Sequence, residues 1–424
     1  MKRALVLAGG GSKGAYEAGF VKALNELGID YQIVTGTSIG ALNGCLLAQQ
    51  DFEAMEELWK NLDVSKVFEG GFSPEFNFDL DNMLNQSNLA ISFFKKYLKE
   101  KGADITPLKK LIRNLLKEDK LLSSPIDFGL CTVYFPSLKP LFITKEEMKK
   151  EYIFDYLISS ASCFPVFPIH TFDNQSFIDG GYYDNVPVDL AFDMGADEVI
   201  VVDMHKDTTH RHYLNRPSII YTTPYLDLGG FMDFSREALD RNMRIGYQTA
   251  MKTFGHFAGV KYTFEPFESP LFHKFYTDVL YLERYMRSLF RSDTSGNLIY
   301  KFMESHKDMP LNEKDYLYVC IDWICELLER DPSYIYQFHI LVKDILQDFS
   351  KYTDPHYQMV SFRSPEEVTR TFKNMSKKGI IGRLLHAFLY PEEEKVDTKM
   401  FLTLFSKEIV MARLLTMLYN EFNT

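Results

Sequence analysis

Two strand–turn–helix units in the first fifty residues constrain this chain more than any other feature. The apolar run Ala4-Leu5-Val6-Leu7-Ala8 leads into Gly9-Gly10-Gly11-Ser12-Lys13-Gly14. A helical pattern follows to about Leu27, with Tyr16, Phe20, Leu24 and Leu27 on one face. The second run, Tyr31-Gln32-Ile33-Val34 within a strand over 31–35, leads into Gly36-Thr37-Ser38-Ile39-Gly40 and then the helix-compatible Ala41-Leu42-Asn43-Gly44-Cys45-Leu46-Leu47. This alternation predicts an α/β fold with a parallel sheet covered by helices. Functional loops of such sheets gather at the carboxyl ends of the strands, where both glycine motifs fall. Gly36 and Gly40 permit a turn too tight for side chains, which leaves the Ser38 hydroxyl exposed at its tip as in a nucleophile elbow.

The first glycine cluster has competing readings. Gly9, Gly11 and Gly14 satisfy the GxGxxG dinucleotide pattern between a strand and a helix. That reading needs an acidic residue at the far end of the second strand, but Asp30 precedes the strand and Thr35-Gly36 ends it. A phosphate-binding P-loop fails too, because Gly14 is followed by Ala15-Tyr16 instead of Lys and Ser/Thr. A backbone oxyanion hole remains, with the glycines leaving room for a substrate oxygen. The third element is Asp179-Gly180-Gly181, where an aspartate at a strand end can present its carboxylate to a serine in a tight space.

These three motifs, in this order, resemble the signature motifs of the patatin-like phospholipase family. Ser159-Ser160-Ala161-Ser162-Cys163-Phe164-Pro165-Val166-Phe167-Pro168 is similar to that family's Ser/Ala-rich, proline-containing segment. The resemblance covers residues 4–205 well and continues more loosely through Asp227–Asp233 to about Gly255. It implies a three-layer α/β/α core with a mostly parallel central sheet, and a lipid acyl hydrolase that works through a Ser-Asp dyad without cofactor or metal. Carried over by residue, Ser38 is the nucleophile and Asp179 the proton acceptor. The oxyanion-hole motif is Gly9, Gly10, Gly11, Lys13 and Gly14, with Ile39 assisting; Gly36 and Gly40 form the elbow, and Gly180 and Gly181 complete the DGG motif. Lys13 would orient the loop or meet an anionic head group.

Two alternatives stand beside this reading. His205 follows a strand and fits the order Ser…Asp…His of an α/β-hydrolase triad, although such enzymes place several strands before their elbow. The other is a non-catalytic scaffold of the same shape whose helical tail binds a partner.

The rest of the chain fills in the frame. Residues from Asp51 to about Leu122 read as mostly helical. Within them, Leu89–Lys99 is amphipathic and fits either a helix packed on the sheet or a lid for lipid. Strand signals return at Phe128–Tyr134, Leu141–Thr144, Phe177-Ile178 and Glu198–Asp203, with helices at about Phe154–Ser160 and after Asn185-Val186-Pro187. Beyond Phe254 the texture becomes aromatic, leucine-rich and charged at helical spacing. Residues 1–255 are therefore expected to form the hydrolase domain and 256–424 an α-helical domain.

Composition sets outer limits. The formal charge of −11 argues against nucleic acid as the main partner but leaves peripheral contact with a membrane surface open. Five scattered cysteines offer no CxxC or Cys/His ligand spacing, so reduced thiols and no structural zinc are expected. The short apolar run after Met1-Lys2-Arg3 is broken by glycines before it makes a signal-peptide core. No uninterrupted apolar segment approaches the roughly 18 residues of a spanning helix. A cytoplasmic location is the expectation.

Overall fold

Strands β1 (Arg3–Leu7) and β2 (Ile33–Thr37) are built from small and aliphatic residues because both are almost wholly buried. In the computed structural model, which describes residues 1–70, 102–207, 209–289, 298–304, 311–356, 375–392, 402 and 404–422, they pair in parallel at the centre of an eight-stranded sheet. The other strands are β3 (Asp127–Phe135), β4 (Pro140–Thr144), β5 (His170–Phe172), β6 (Gln175–Asp179), β7 (Glu198–Val202) and β8 (Ile219–Thr222). Hydrogen-bonded neighbours run β5-β6-β3-β2-β1-β7-β8, with β4 also on β3. The run β3-β2-β1-β7-β8 is parallel, whereas β4, β5 and β6 are antiparallel additions. The mostly parallel α/β core read from the sequence is the one observed.

One register decides where the site lies. Strand β3 outlasts β2: Thr37 at the end of β2 pairs with Cys131, and the next β3 residue, Thr132, pairs with Asp179 at the end of β6. Thr132 also pairs with Leu141 of β4, so β4 occupies one edge of β3 while β2 and β6 share the other. The carboxyl ends of β2 and β6 therefore meet head-on.

Helices α1 (Gly14–Glu26), α2 (Ile39–Ala48) and α3 (Phe52–Asn61) follow the first two strands. Next come α4 (Thr106–Leu115), α5 (Glu118–Ser123), α6 (Ile153–Ser160), α7 (Val188–Asp193) and α8 (Arg236–Thr253). Strand β2 ends later than the 31–35 expected, because Gly36 and Thr37 still pair with Leu130 and Cys131 of β3. Ladder pairing overrides the low strand propensity of glycine. Strand β8 and helix α8 went unforeseen. The buried face of α8 carries Asn242, Gln248 and Thr249 beside Leu239 and Ile245, which blurs the apolar period. Asn242 satisfies its burial by donating to the Leu228 carbonyl (2.9 Å). The Leu89–Lys99 segment lies outside the described residues.

The chain divides into two compact units, Met1–Phe254 and Gly255–Thr424. The second is helical: α9 (Leu271–Leu289), α10 (Leu298–Glu304), α11 (Glu313–Leu327), α12 (Phe338–Asp348), α13 (Ser350–Thr353), α14 (Lys377–Leu389) and α15 (Ser406–Phe422). It packs its own core around Phe264, Phe275, Phe302, Leu317 and Leu415. A capping box of Asn312 and Asp315 starts α11. The buried Glu283 carboxylate accepts the first N–H of α10 at 2.7 Å. A two-residue parallel pair, β9 (Thr263–Phe264) with β10 (Ile335–Tyr336), is too short to leave a sequence signal. Among the described residues, no helix is long and apolar enough to cross a membrane.

Candidate active site

Ser38 sits between the last residue of β2 and the first of α2 with φ 55° and ψ −123°, a conformation that non-glycine residues rarely adopt. Ser38 Oγ donates to Asp179 Oδ2 at 2.6 Å across 141 positions of sequence. The other carboxylate oxygen, Oδ1, accepts the Gly181 N–H at 2.8 Å, so both oxygens of Asp179 are oriented. Asp179 is 5% exposed. Burial pushes its carboxyl up from the ordinary range to about 6, against the opposing hydrogen bonds from Ser38 and Gly181. A carboxylate so poised is ionised near neutrality yet basic enough to take a proton.

The first glycine loop lies directly against this pair. A Cβ on Gly9 would fall 3.2 Å from Ser38 Cβ. Gly11 has φ +58°, and a side chain there would run into the Phe231 carbonyl. The loop is fixed from several sides. Gly9 N–H donates to the Asn185 carbonyl (3.0 Å), and Asn185 Nδ2 returns a bond to the Gly9 carbonyl (3.1 Å). Ser12 N–H donates to the Phe231 carbonyl (2.8 Å) and its hydroxyl to that of Gly230 (3.1 Å). Among the described residues, the N–H groups of Gly10, Gly11 and Ile39 have no acceptor, so they are available as donors to a bound oxygen.

A cavity of about 650 Å³ opens over these groups. Gly9, Gly10, Gly11, Lys13, Ser38, Ile39, Asp179 and Gly181 line it. The motif residues Gly14, Gly36, Gly40 and Gly180 stand behind that lining. Gly14 starts α1, Gly36 lies within β2, Gly40 is the second residue of α2 and packs against β1, and Gly180 sits on the Cys131 carbonyl. The apolar wall comes from four helices that share no motif, with Leu42 and Leu46 of α2, Trp59 of α3, Leu108 and Ile112 of α4 and Leu157 of α6. Lys13 has no acidic partner among the described residues and lends the cavity a positive charge.

His205 also lines the cavity, but its Nδ1 bonds to Asp203 at 2.8 Å, not to Asp179. Asp203, fully buried at the end of β7, also accepts the Thr209 N–H (3.0 Å) and the Tyr221 hydroxyl (2.8 Å). Burial works to raise its carboxyl, but the hydrogen bonds from His205 and Thr209 bring it below the usual range. Among the described residues no hydrogen bond joins His205 to Ser38, whose hydroxyl goes to Asp179 instead. The carboxylates Asp184, Asp189 and Asp197 serve turns and local partners: the Val186 N–H, the Tyr213 hydroxyl and the Lys2 N–H.

Burial raises the thiols of Cys45, Cys131 and Cys163 near the site, and all five cysteines are free. None offers a thiolate to compete with Ser38. Sequence reading missed Asn185, Asp203 and Ser160. Only position marked them, Asn185 four residues after the DGG motif and Ser160 inside the Ser/Ala-rich segment.

Residues 5–192 match the family model described as patatin-like phospholipase. The chain is 28% identical over 200 residues to Lysophospholipase nte1 of Aspergillus terreus, an alignment that takes in 47% of this chain and 12% of that protein. It is 26% identical over 206 residues to Patatin-like phospholipase domain-containing protein 7 of Rattus norvegicus, covering 47% of this chain and 13% of that one. The chain thus spans only about an eighth of the length of the curated relatives it matches. Among solved structures, VipD from Legionella pneumophila overlays with a TM-score of 0.41 at 14% identity, over 97% of this chain and 91% of that one.

Proposed function

We propose, on the premise that the first unit carries a patatin-like phospholipase domain, that this protein is a serine acyl hydrolase of lipid fatty-acyl esters working through a Ser38–Asp179 dyad. The single observation that carries the reading is the 2.6 Å hydrogen bond from the strained Ser38 hydroxyl to Asp179, at the floor of an apolar cavity. The cavity suits an acyl chain, since each methylene removed from water there gains about 0.8 kcal/mol.

In this mechanism Asp179 Oδ2 takes the Ser38 proton as Oγ attacks the ester carbonyl carbon. The electron pair displaced onto the carbonyl oxygen is held by the N–H groups of Gly10 and Gly11, with Ile39 assisting; such a donor is typically worth about 3–4 kcal/mol. Collapse of the tetrahedral intermediate expels the alcohol, which recovers the proton from Asp179 and leaves an acyl-serine. Water then attacks as Asp179 again accepts a proton, and collapse breaks the bond to Ser38 Oγ, which takes that proton back from Asp179 as the fatty acid leaves. Lys13 meets the negative charge of a phosphorylated head group. The protein acts in the cytoplasm and touches lipid aggregates peripherally.

Hydrolysis of a chromogenic fatty-acyl ester tests this directly. Ser38→Ala and Asp179→Asn should each lose about 10³-fold or more in turnover with circular dichroism unchanged. His205→Ala should keep most of its activity. Full activity in Asp179→Asn together with loss in His205→Ala would transfer the assignment to the triad alternative. Full activity in Ser38→Ala would end it.

A further inference from the structure

The last turn of α6 touches both halves of the dyad. Ser38 N–H donates to Ser160 Oγ at 2.9 Å, and the Ser160 hydroxyl in turn donates to the Cys131 carbonyl at 2.7 Å. Two residues on, the Ser162 carbonyl accepts the Asp179 N–H at 2.9 Å, and the Ser162 hydroxyl is tied to the Ile158 carbonyl at 2.8 Å. Cys131 is the register partner of Thr37, the residue before the nucleophile. One hydroxyl therefore clamps the strained Ser38 backbone to β3 at the point where β2 stops.

We propose that Ser160 is a positioning residue for the nucleophile, an assignment that rests on the acyl-hydrolase reading above. A serine hydroxyl accepts and donates at once, and both functions are in use here. Ser38 holds a backbone conformation that relaxes unless its surroundings over-determine it. The bond from its own N–H fixes the peptide plane from which the side chain departs, and hence the direction of Oγ toward Asp179. Because this N–H is engaged by Ser160, it is not a donor to the substrate; that task falls to the free amides of Gly10, Gly11 and Ile39.

Burial alone does not account for the arrangement. Ser159, the adjacent residue, is equally buried at 0% exposure, yet its Oγ has no hydrogen-bond partner among the described residues. The two neighbours form a built-in comparison: the same residue type on the same helix turn, one with a task and one without.

The experiment measures kcat and KM on a fatty-acyl ester, the rate of fluorophosphonate labelling and the melting temperature for the wild type, Ser159→Ala, Ser160→Ala and Ser160→Cys. Ser160→Ala should lose about 10–100-fold in kcat, the scale of a small misplacement of a reacting group, with KM within about twofold. Labelling should slow by the same factor. Ser160→Cys, which keeps a weak donor and acceptor, should fall between Ser160→Ala and wild type, and Ser159→Ala should match wild type. If Ser160→Ala does not fold, Ser160→Cys carries the comparison, and wild-type kcat there overturns the proposal. Wild-type kcat in Ser160→Ala overturns it as well, as does a loss in both alanine variants that merely follows their melting temperatures. A wild-type protein that neither hydrolyses esters nor takes the label would instead remove the acyl-hydrolase reading, and this inference with it.

Discussion

At the scale of single residues, the proposed chemistry rests on one carboxylate held in an unfavourable place. Burial raises Asp179 to about 6 from an ordinary 3.8. Between these values the folded chain keeps a proton that the unfolded chain has released, so this group's contribution to stability is lost as pH rises across that window. Catalysis by the proposed dyad needs the opposite state, since in it only the ionised carboxylate accepts the Ser38 proton. We therefore expect kcat/KM to rise with pH to a plateau, with its half-point near pH 6. Asp179→Asn should be inactive yet more stable at pH 7.5, by about 1–3 kcal/mol in chemical denaturation, because no charge is left to desolvate. A rate that is flat down to pH 4.5, or an asparagine variant less stable than wild type at pH 7.5, would contradict this picture of the base. Glu17 shows the same physics without a catalytic task. It is fully buried, burial holds its carboxyl well above the ordinary range, and Asn43 donates to it at 2.8 Å.

At the scale of elements, the long strand β3 brings the site together by offering consecutive residues to β2 and β6. The parts of the site that bend the backbone were legible in the sequence. A tight turn after an apolar run leaves few residue choices, so the glycines around Ser38 and beside Asp179 stand out. The acyl wall was not legible. Leu46, Trp59, Leu108 and Leu157 are ordinary apolar residues of separate helices, and only the packing makes them neighbours around one cavity. Ser160 was equally silent, because a serine at a helix end reads the same whether it clamps a backbone or merely fills space. The wall carries its own prediction. Across p-nitrophenyl esters from butyrate to decanoate, kcat/KM should climb severalfold for every two methylenes added, within the limit of about fourfold per methylene set by apolar burial. A preference for the shortest ester would remove the acyl chamber from the account.

At the scale of the whole molecule, the sequence displayed an alternating α/β half and a helical half, and each unit has its own hydrophobic core. What eluded the reading was how the first unit closes after β7. Strand β8 is only four residues long, and α8 hides polar side chains on its buried face, so neither carries a clean period. Every catalytic group assigned here lies within Met1–Phe254. A fluorophosphonate probe, with intact-mass measurement and peptide mapping, applied both to the full chain and to residues 1–254, therefore tests the Ser38–Asp179 assignment. A single adduct on Ser38 is expected in both proteins, and none in Asp179→Asn over the same time. An adduct on another residue, no adduct on the full chain, or labelling of Asp179→Asn at the wild-type rate would contradict it.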